Sequence, residues 1–257
     1  KKQITDRDRA AIEKFMSLGG KFTVATGRTI QSFEQYTRLL ELKMPVIMYN
    51  GAAIHNYATG ETLYTHPLPD KAKSAALEIM GMIPDIGGEV LKTDSTYVFS
   101  NTEYQQLHTK LCNIVPYYKE LPEIEDGAWL KVLFALAPED IPFLEVLIRQ
   151  RGFDRDFDFI RSSEIFLEML PKGVSKGAAL REYRRLSGME DMIFVAIGDF
   201  DNDIEMICEA DLGVCPANAE ESVKYKADLV LKNSCDEGAV AELIEEIIRR
   251  CESSKKA

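Results

Sequence analysis

The sequence predicts an α/β protein whose parallel-sheet body is interrupted by a smaller α+β unit. Three observations carry that prediction. Short β-branched and aromatic runs alternate with helical spacing early and late in the chain, which is the rhythm of βα units. That rhythm stops after about residue 68 and gives way to strand-like runs punctuated by Pro116, Pro122, Pro138 and Pro142. It resumes at Ser175. The division drawn from these changes is a body of residues 1–67 and 172–257, with residues 68–171 inserted.

Ala10, Ala11, Phe15 and Leu18 fall at helical spacing within 6–18, and Gly19-Gly20 ends the run. Phe22 to Ala25 reads as a short buried strand, 30–42 as a helix, and Pro45 to Tyr49 as a second strand. Residues 70–82 and 139–151 read as helices, and 89–100, 129–137 and 165–170 as strands. A helix is expected over 176–187. The run Met192 to Ile197, bounded by Gly198, is the most apolar short run in the chain and is expected to be a central parallel strand. A helix, short strands at 212–214 and 228–231, and a helix at 237–250 complete the chain.

Composition narrows the function. The 257 residues carry a formal net charge of -11, so a phosphate backbone would be repelled and nucleic acid is not an expected partner. The five cysteines form no C-x-x-C, which argues for reduced thiols rather than a disulfide framework or zinc site. Three scattered histidines disfavour a histidine metal cluster. With no signal peptide and no bilayer-length apolar stretch, a cytoplasmic protein is expected.

Three segments carry chemistry. Gly198-Asp199-Phe200-Asp201-Asn202-Asp203 follows the 192–197 run and opens a helix. Ligands bind beyond the carboxyl ends of strands in such sheets. Carboxylates this crowded call for a cation, and Mg²⁺ suits one or two carboxylates plus water and phosphate oxygens. The competing reading is a helix cap with solvated acids. An EF-hand fails, because Ile204 and Ala210 stand where that loop needs Gly and Glu. Gly173-Val174-Ser175-Lys176-Gly177 puts a lysine into a helix's first turn, where a bound anion would offset its clash with the macrodipole. An exposed lysine behind a Ser175 cap is the plain alternative, and Gly177 would let an anion reach the backbone. Thr26-Gly27-Arg28-Thr29 offers a hydroxyl beyond a strand. No P-loop, dinucleotide fingerprint or serine nucleophile elbow occurs. A hydroxyl, an amine and a carboxylate cluster together match metal-assisted phosphoryl transfer.

The order of Thr26-Gly27-Arg28, Lys176 and Gly198 to Asp203 resembles motifs two, three and four of the haloacid dehalogenase superfamily. The insertion, Asn50-Gly51-Ala52 and the tail around Ala217-Asn218-Ala219 and Asp236 to Val240 are similar to its Cof-type members, subclass IIB. The resemblance implies a Rossmann-like parallel-sheet core with an inserted α+β cap of the C2 type. It implies a Mg²⁺-dependent phosphatase acting on a small phosphorylated metabolite, sugar phosphate-like, through an aspartyl-phosphate intermediate. Thr26 and Lys176 would be catalytic, binding phosphate oxygens. Asp199 and Asp203 would support the metal, and Arg28, Asn50 and Asn202 would lie at the substrate. Cys215-Pro216 departs from the family's usual Met-Gly.

A larger departure is the family's first motif, D-x-D-G-T, which supplies the nucleophile and the acid/base and does not occur here. The family places that strand between 22–25 and 192–197. It is therefore expected upstream of Lys1, and without it the sheet should be split and hydrolysis absent. Two further functions stand beside the phosphatase: a phosphomutase or phosphoryl transferase on the same scaffold, or a non-catalytic phosphate-binding module.

Overall fold

The structure is a computed structural model and describes residues 4–254. The extreme ends of the predicted body, residues 1–3 and 255–257, lie outside the described residues. The chain begins with helices α1 (Asp6–Ser17) and α2 (Ile30–Leu40), then strands β1 (Val46–Met48), β2 (Ala53–Asn56) and β3 (Glu61–Thr65). Thr5 caps α1 by accepting from the Asp8 amide at 3.0 Å. Thr29 and Ser32 close a reciprocal capping box on α2. β1, β2 and β3 form an antiparallel sheet.

The middle of the chain contributes α3 (Ala72–Met80), β4 (Gly87–Leu91), β5 (Thr96–Ser100), α4 (Glu103–Cys112), β6 (Tyr117–Tyr118), β7 (Lys131–Ala135), α5 (Asp140–Arg151), β8 (Phe157–Ser163) and β9 (Phe166–Pro171). Its six strands make their own sheet in the order β6-β5-β4-β7-β9-β8, with one parallel pair, β5 and β6. The sheet is buried on both faces, which is why β7 and β9 read as continuous apolar runs. Val132, Phe134, Leu167 and Met169 pack against α3 and α5, where Ile141, Leu144 and Ile148 line one helical face. Burying each such side chain contributes about 1.5–3 kcal/mol. The opposite face places Leu91, Leu133, Ala135 and Phe166 against Phe33, Tyr49 and Ala52 of the body. Alternation along the strands puts Glu89, Lys131 and Glu168 on that second face.

The chain then returns to the body with α6 (Lys176–Ser187), β10 (Val195–Ile197), α7 (Ile204–Glu209), β11 (Leu212–Cys215), α8 (Glu221–Lys226), β12 (Leu229–Val230) and α9 (Ala239–Ser254). β10, β11 and β12 are parallel neighbours. Asp8, buried in α1, accepts from the Ala241 amide at 2.8 Å and so satisfies a first-turn donor of α9.

Three of the expected strands differ in the structure. The expected strand 89–100 is a hairpin, turned where Lys92 N donates to Ser95 O. The run 192–197 is paired only near its end. Ile193 is exposed, and pairing begins at Phe194, whose carbonyl accepts from Asp211 and Leu212. β10 has β11 as its one strand neighbour among the described residues, so it lies at an edge of that sheet rather than at its centre. The segment 22–25 contributes a single parallel bridge, Ala25 to Ile47, with Thr26 N donating to Ile47 O and Ile47 N to Val24 O. Among the described residues no strand joins this segment to β10, and the body holds two three-stranded sheets.

Candidate active site

The site is assembled from four chain segments. The first is a turn at Tyr49, Asn50 and Gly51, all three with positive φ (52°, 56° and 109°). Left-handed backbone at a bulky residue such as Tyr49 costs on the order of 1–3 kcal/mol. Tyr49 is held in it by complete burial, and its hydroxyl donates to Lys92 O at 2.8 Å and accepts from Ile30 N at 3.2 Å. Gly51 is required on two counts. A Cβ there would sit 2.1 Å from the Ser175 carbonyl oxygen, and φ already disfavours an L side chain. The turn seats the start of α6 and aims the Asn50 amide across the body.

Backbone bonds fix the second segment to the first. Asn50 N donates to Thr26 O at 3.0 Å and Tyr49 N to Arg28 O at 3.1 Å. The Thr26 hydroxyl accepts from Arg28 N at 3.2 Å. The Arg28 guanidinium lies 5.0 Å from the Tyr36 ring centroid. Arg28 thus stacks on α2, and no hydrogen bond joins it to Asn50, Lys176 or Asp203 among the described residues.

The third and fourth segments meet in a buried ion pair. Ser175 caps α6 by accepting from Ala178 N at 2.9 Å. That cap is the part of the plain alternative that holds, but Lys176 is not an exposed lysine. It is 7% exposed and its Nζ donates to Asp203 Oδ1 at 2.7 Å. Asp203 Oδ2 accepts from the Asp199 amide at 3.1 Å and the Phe200 amide at 3.3 Å. Both Asp203 oxygens are therefore engaged in holding Lys176 and the loop after β10. The Asp199 carboxylate, partly exposed at the tip of β10, accepts only the weak thiol contact of Cys235 at 3.7 Å among the described residues. Gly177 serves close packing, because a Cβ there would lie 2.6 Å from the Glu205 backbone on α7.

Two residues that sequence reasoning missed close the site from the inserted unit. Lys131 Nζ pairs with Glu168 Oε1 at 3.0 Å and donates to Gly27 O at 3.2 Å. Asn50 Nδ2 donates to Glu168 Oε2 at 3.1 Å, and Asn202 Nδ2 to Asn50 Oδ1 at 3.1 Å. A polar chain thus runs from Lys131 through Glu168 and Asn50 to Asn202, linking β7 and β9 to both body segments. Buried charges persist only when paired and hydrogen-bonded. A lysine inside Trp129–Ala135 and a glutamate inside Phe166–Leu170 were the available signals.

Asn50, Asn202, Lys176, Asp203 and Asp199 therefore belong to one connected site, with Thr26 tied to it through the backbone of Asn50. The donor chemistry suits a hard cation: Asp199 offers an oxygen ligand outside any ion pair found among the described residues. The described residues hold no group of three or more His, Cys, Asp or Glu able to enclose a metal by themselves.

Residues 1–244 match the model of the haloacid dehalogenase-like hydrolase family. The chain belongs to that family. Among curated relatives of this hydrolase is the 5-amino-6-(5-phospho-D-ribitylamino)uracil phosphatase YcsE of Bacillus subtilis (strain 168). It is 29% identical over 91% of this chain and 85% of its own length. A crystal structure of a haloacid dehalogenase-like hydrolase from Bacteroides thetaiotaomicron superposes with a TM-score of 0.82 at 27% identity. It covers 95% of this chain and 93% of that one. The subclass IIB sugar phosphatase BT4131 shares the fold with a TM-score of 0.78 at 20% identity, covering 95% of this chain and 92% of that one. The α/β fold with an inserted cap is thereby established, and no helix among the described residues is long and apolar enough to cross a membrane.

Proposed function

We propose that this hydrolase is a Mg²⁺-dependent phosphatase of a small, sugar phosphate-like metabolite, working through an aspartyl-phosphate intermediate. The observation that carries the reading is the buried Lys176–Asp203 pair beside Asp199, beneath a sheet face that presents Lys131 and Glu168. In this reading the body is residues 1–67 and 172–257 and the cap is 68–171.

The Thr26 hydroxyl and Lys176 ammonium bind non-bridging phosphate oxygens and stabilise the charge that builds on them during transfer. Asp203 positions Lys176. Asp199 supplies a ligand to the metal, which when bound neutralises phosphate charge. Asn50 and Asn202 orient the phosphate, while Lys131 and Glu168 meet hydroxyl groups of the leaving alcohol. Arg28 belongs at the substrate only if it leaves Tyr36. The in-line nucleophile is a carboxylate of the D-x-D-G-T type, which residues 4–254 do not contain; Asp6 and Asp8 form a D-x-D, but Asp8 is committed to capping α9. The named substrate of YcsE is itself a phosphorylated sugar-alcohol derivative, which supports the substrate class.

The test is release of inorganic phosphate by the full-length natural protein from a panel of sugar phosphates, nucleotides and an aryl phosphate. The reading expects Mg²⁺-dependent release, fastest from sugar phosphates. Transfer of the phosphoryl group to a second sugar, with no free phosphate, would establish a mutase or transferase instead. Phosphate binding without turnover would establish a binding module.

A further inference from the structure

Helix α4 is inverted relative to an ordinary surface helix. Its Leu107 and Leu111 are exposed, while Gln105 and His108 are buried against the cap sheet. The buried polar side chains are organised around Glu89 of β4, which is fully buried. One Glu89 oxygen pairs with His108 Nδ1, and the other accepts from Gln105 Nε2 at 3.3 Å. Gln105 Nε2 also donates to Thr109 Oγ1 at 2.8 Å. The other ring nitrogen of His108, Nε2, lies 3.3 Å from Cys112 Sγ. Phe166 meets the imidazole edge-on at 5.1 Å and fixes the ring plane. A buried carboxylate, an imidazole and a half-buried thiol are therefore aligned in series, apart from the phosphate-binding segments.

We propose that Cys112 is an activated nucleophilic thiol, a modification site for small electrophiles. Glu89 keeps His108 charged, and the charged imidazole presents Nε2–H to Sγ, which stabilises the thiolate. Burial alone would pull His108 below its ordinary value, but the Cys112 and Glu89 contacts outweigh it and push the imidazole up to about 9. Cys112 is the last residue of α4, where the macrodipole opposes a thiolate. That end carries roughly half an elementary charge spread over several carbonyls, against a whole positive charge in direct contact, so the imidazolium prevails. Two of the other thiols are disfavoured as thiolates. Burial pushes Cys215 up, and burial together with Asp199 pushes Cys235 up.

The step is a simple displacement. The thiolate forms an S–C bond with the methylene of iodoacetamide, the C–I bond breaks, and iodide leaves with its electron pair. The thiol proton leaves to solvent, and His108 keeps its own.

The experiment treats the protein with limiting iodoacetamide at neutral pH and follows each cysteine-containing peptide by mass spectrometry. Cys112 is expected to react roughly tenfold or more faster than Cys208 and Cys251, although both are more exposed. His108→Gln should bring Cys112 below them. If His108→Gln does not fold, Glu89→Gln carries the same expectation, and the ranking in the unaltered protein stands whatever the variants do. Slower labelling of Cys112 than of Cys208 and Cys251 overturns the proposal. So does an unchanged Cys112 rate in a folded variant of either residue.

Discussion

Lys176 at the start of α6 and Asp203 after β10 are 27 residues apart in sequence and meet at 2.7 Å, both almost wholly buried. Taking two charges out of water is costly, so removing one partner is expected to hurt more than the pair's net worth. Lys176→Met should lower folding stability by about 3–5 kcal/mol, measured by urea unfolding. In the full-length natural protein it should also lower phosphate release by roughly a hundredfold or more, as loss of one charge-stabilising donor does. Full activity in Lys176→Met would remove this residue from the chemistry.

The Lys131–Glu168 pair separates stability from function. Lys131→Met alone leaves Glu168 buried without its cation and should destabilise strongly. The double variant Lys131→Met/Glu168→Leu should recover most of that stability, because an apolar pair of similar volume is often no worse than a buried ion pair. Its activity should not recover if these side chains meet the leaving group. Thermal unfolding and steady-state kinetics on the same preparations check both halves.

Stability should also depend on pH through His108. Its folded-state pKa of about 9 lies above the ordinary 6.5, so its contribution is fully present below about pH 6.5 and is lost as pH rises through about 9. The shift corresponds to about 3 kcal/mol. Urea unfolding should show this loss in the natural protein between pH 6 and pH 10, and a markedly smaller one in His108→Gln.

Gly51→Ala should be among the most damaging single-methyl changes in the body. The new Cβ would lie 2.1 Å from the Ser175 carbonyl oxygen at a φ of 109°. Loss of several kcal/mol is expected from the clash and the strained backbone together. Gly60→Ala is the control, since its φ is also positive but nothing lies within 4 Å of the added methyl.

Most of the candidate site was legible because its residues sit where periodic runs stop. Thr26, Lys176 and Asp199 each follow a strand or open a helix, and such ends carry chemistry in α/β sheets. Lys131 and Glu168 were not legible, because a charged residue within an apolar run can be read as a tolerated exception. Only the second buried face of the cap sheet shows that these side chains point inward against the body. Helix α4 escaped notice for the opposite reason. Its leucines, Leu107 and Leu111, face solvent while Gln105 and His108 face the sheet, so hydrophobic periodicity was inverted. The β2–β3 hairpin was missed because its strands are short and lie beside the strained turn at Asn50.

Asp199 and its neighbours are proposed to form a Mg²⁺-dependent phosphate-transfer site. The direct measurement is phosphate release from the preferred sugar phosphate by the full-length natural protein and its Asp199→Ala variant, each titrated with Mg²⁺. Saturable Mg²⁺ activation is expected in the natural protein and little or none in Asp199→Ala, with both proteins equally folded by circular dichroism. Equal Mg²⁺-dependent turnover in the two would contradict it.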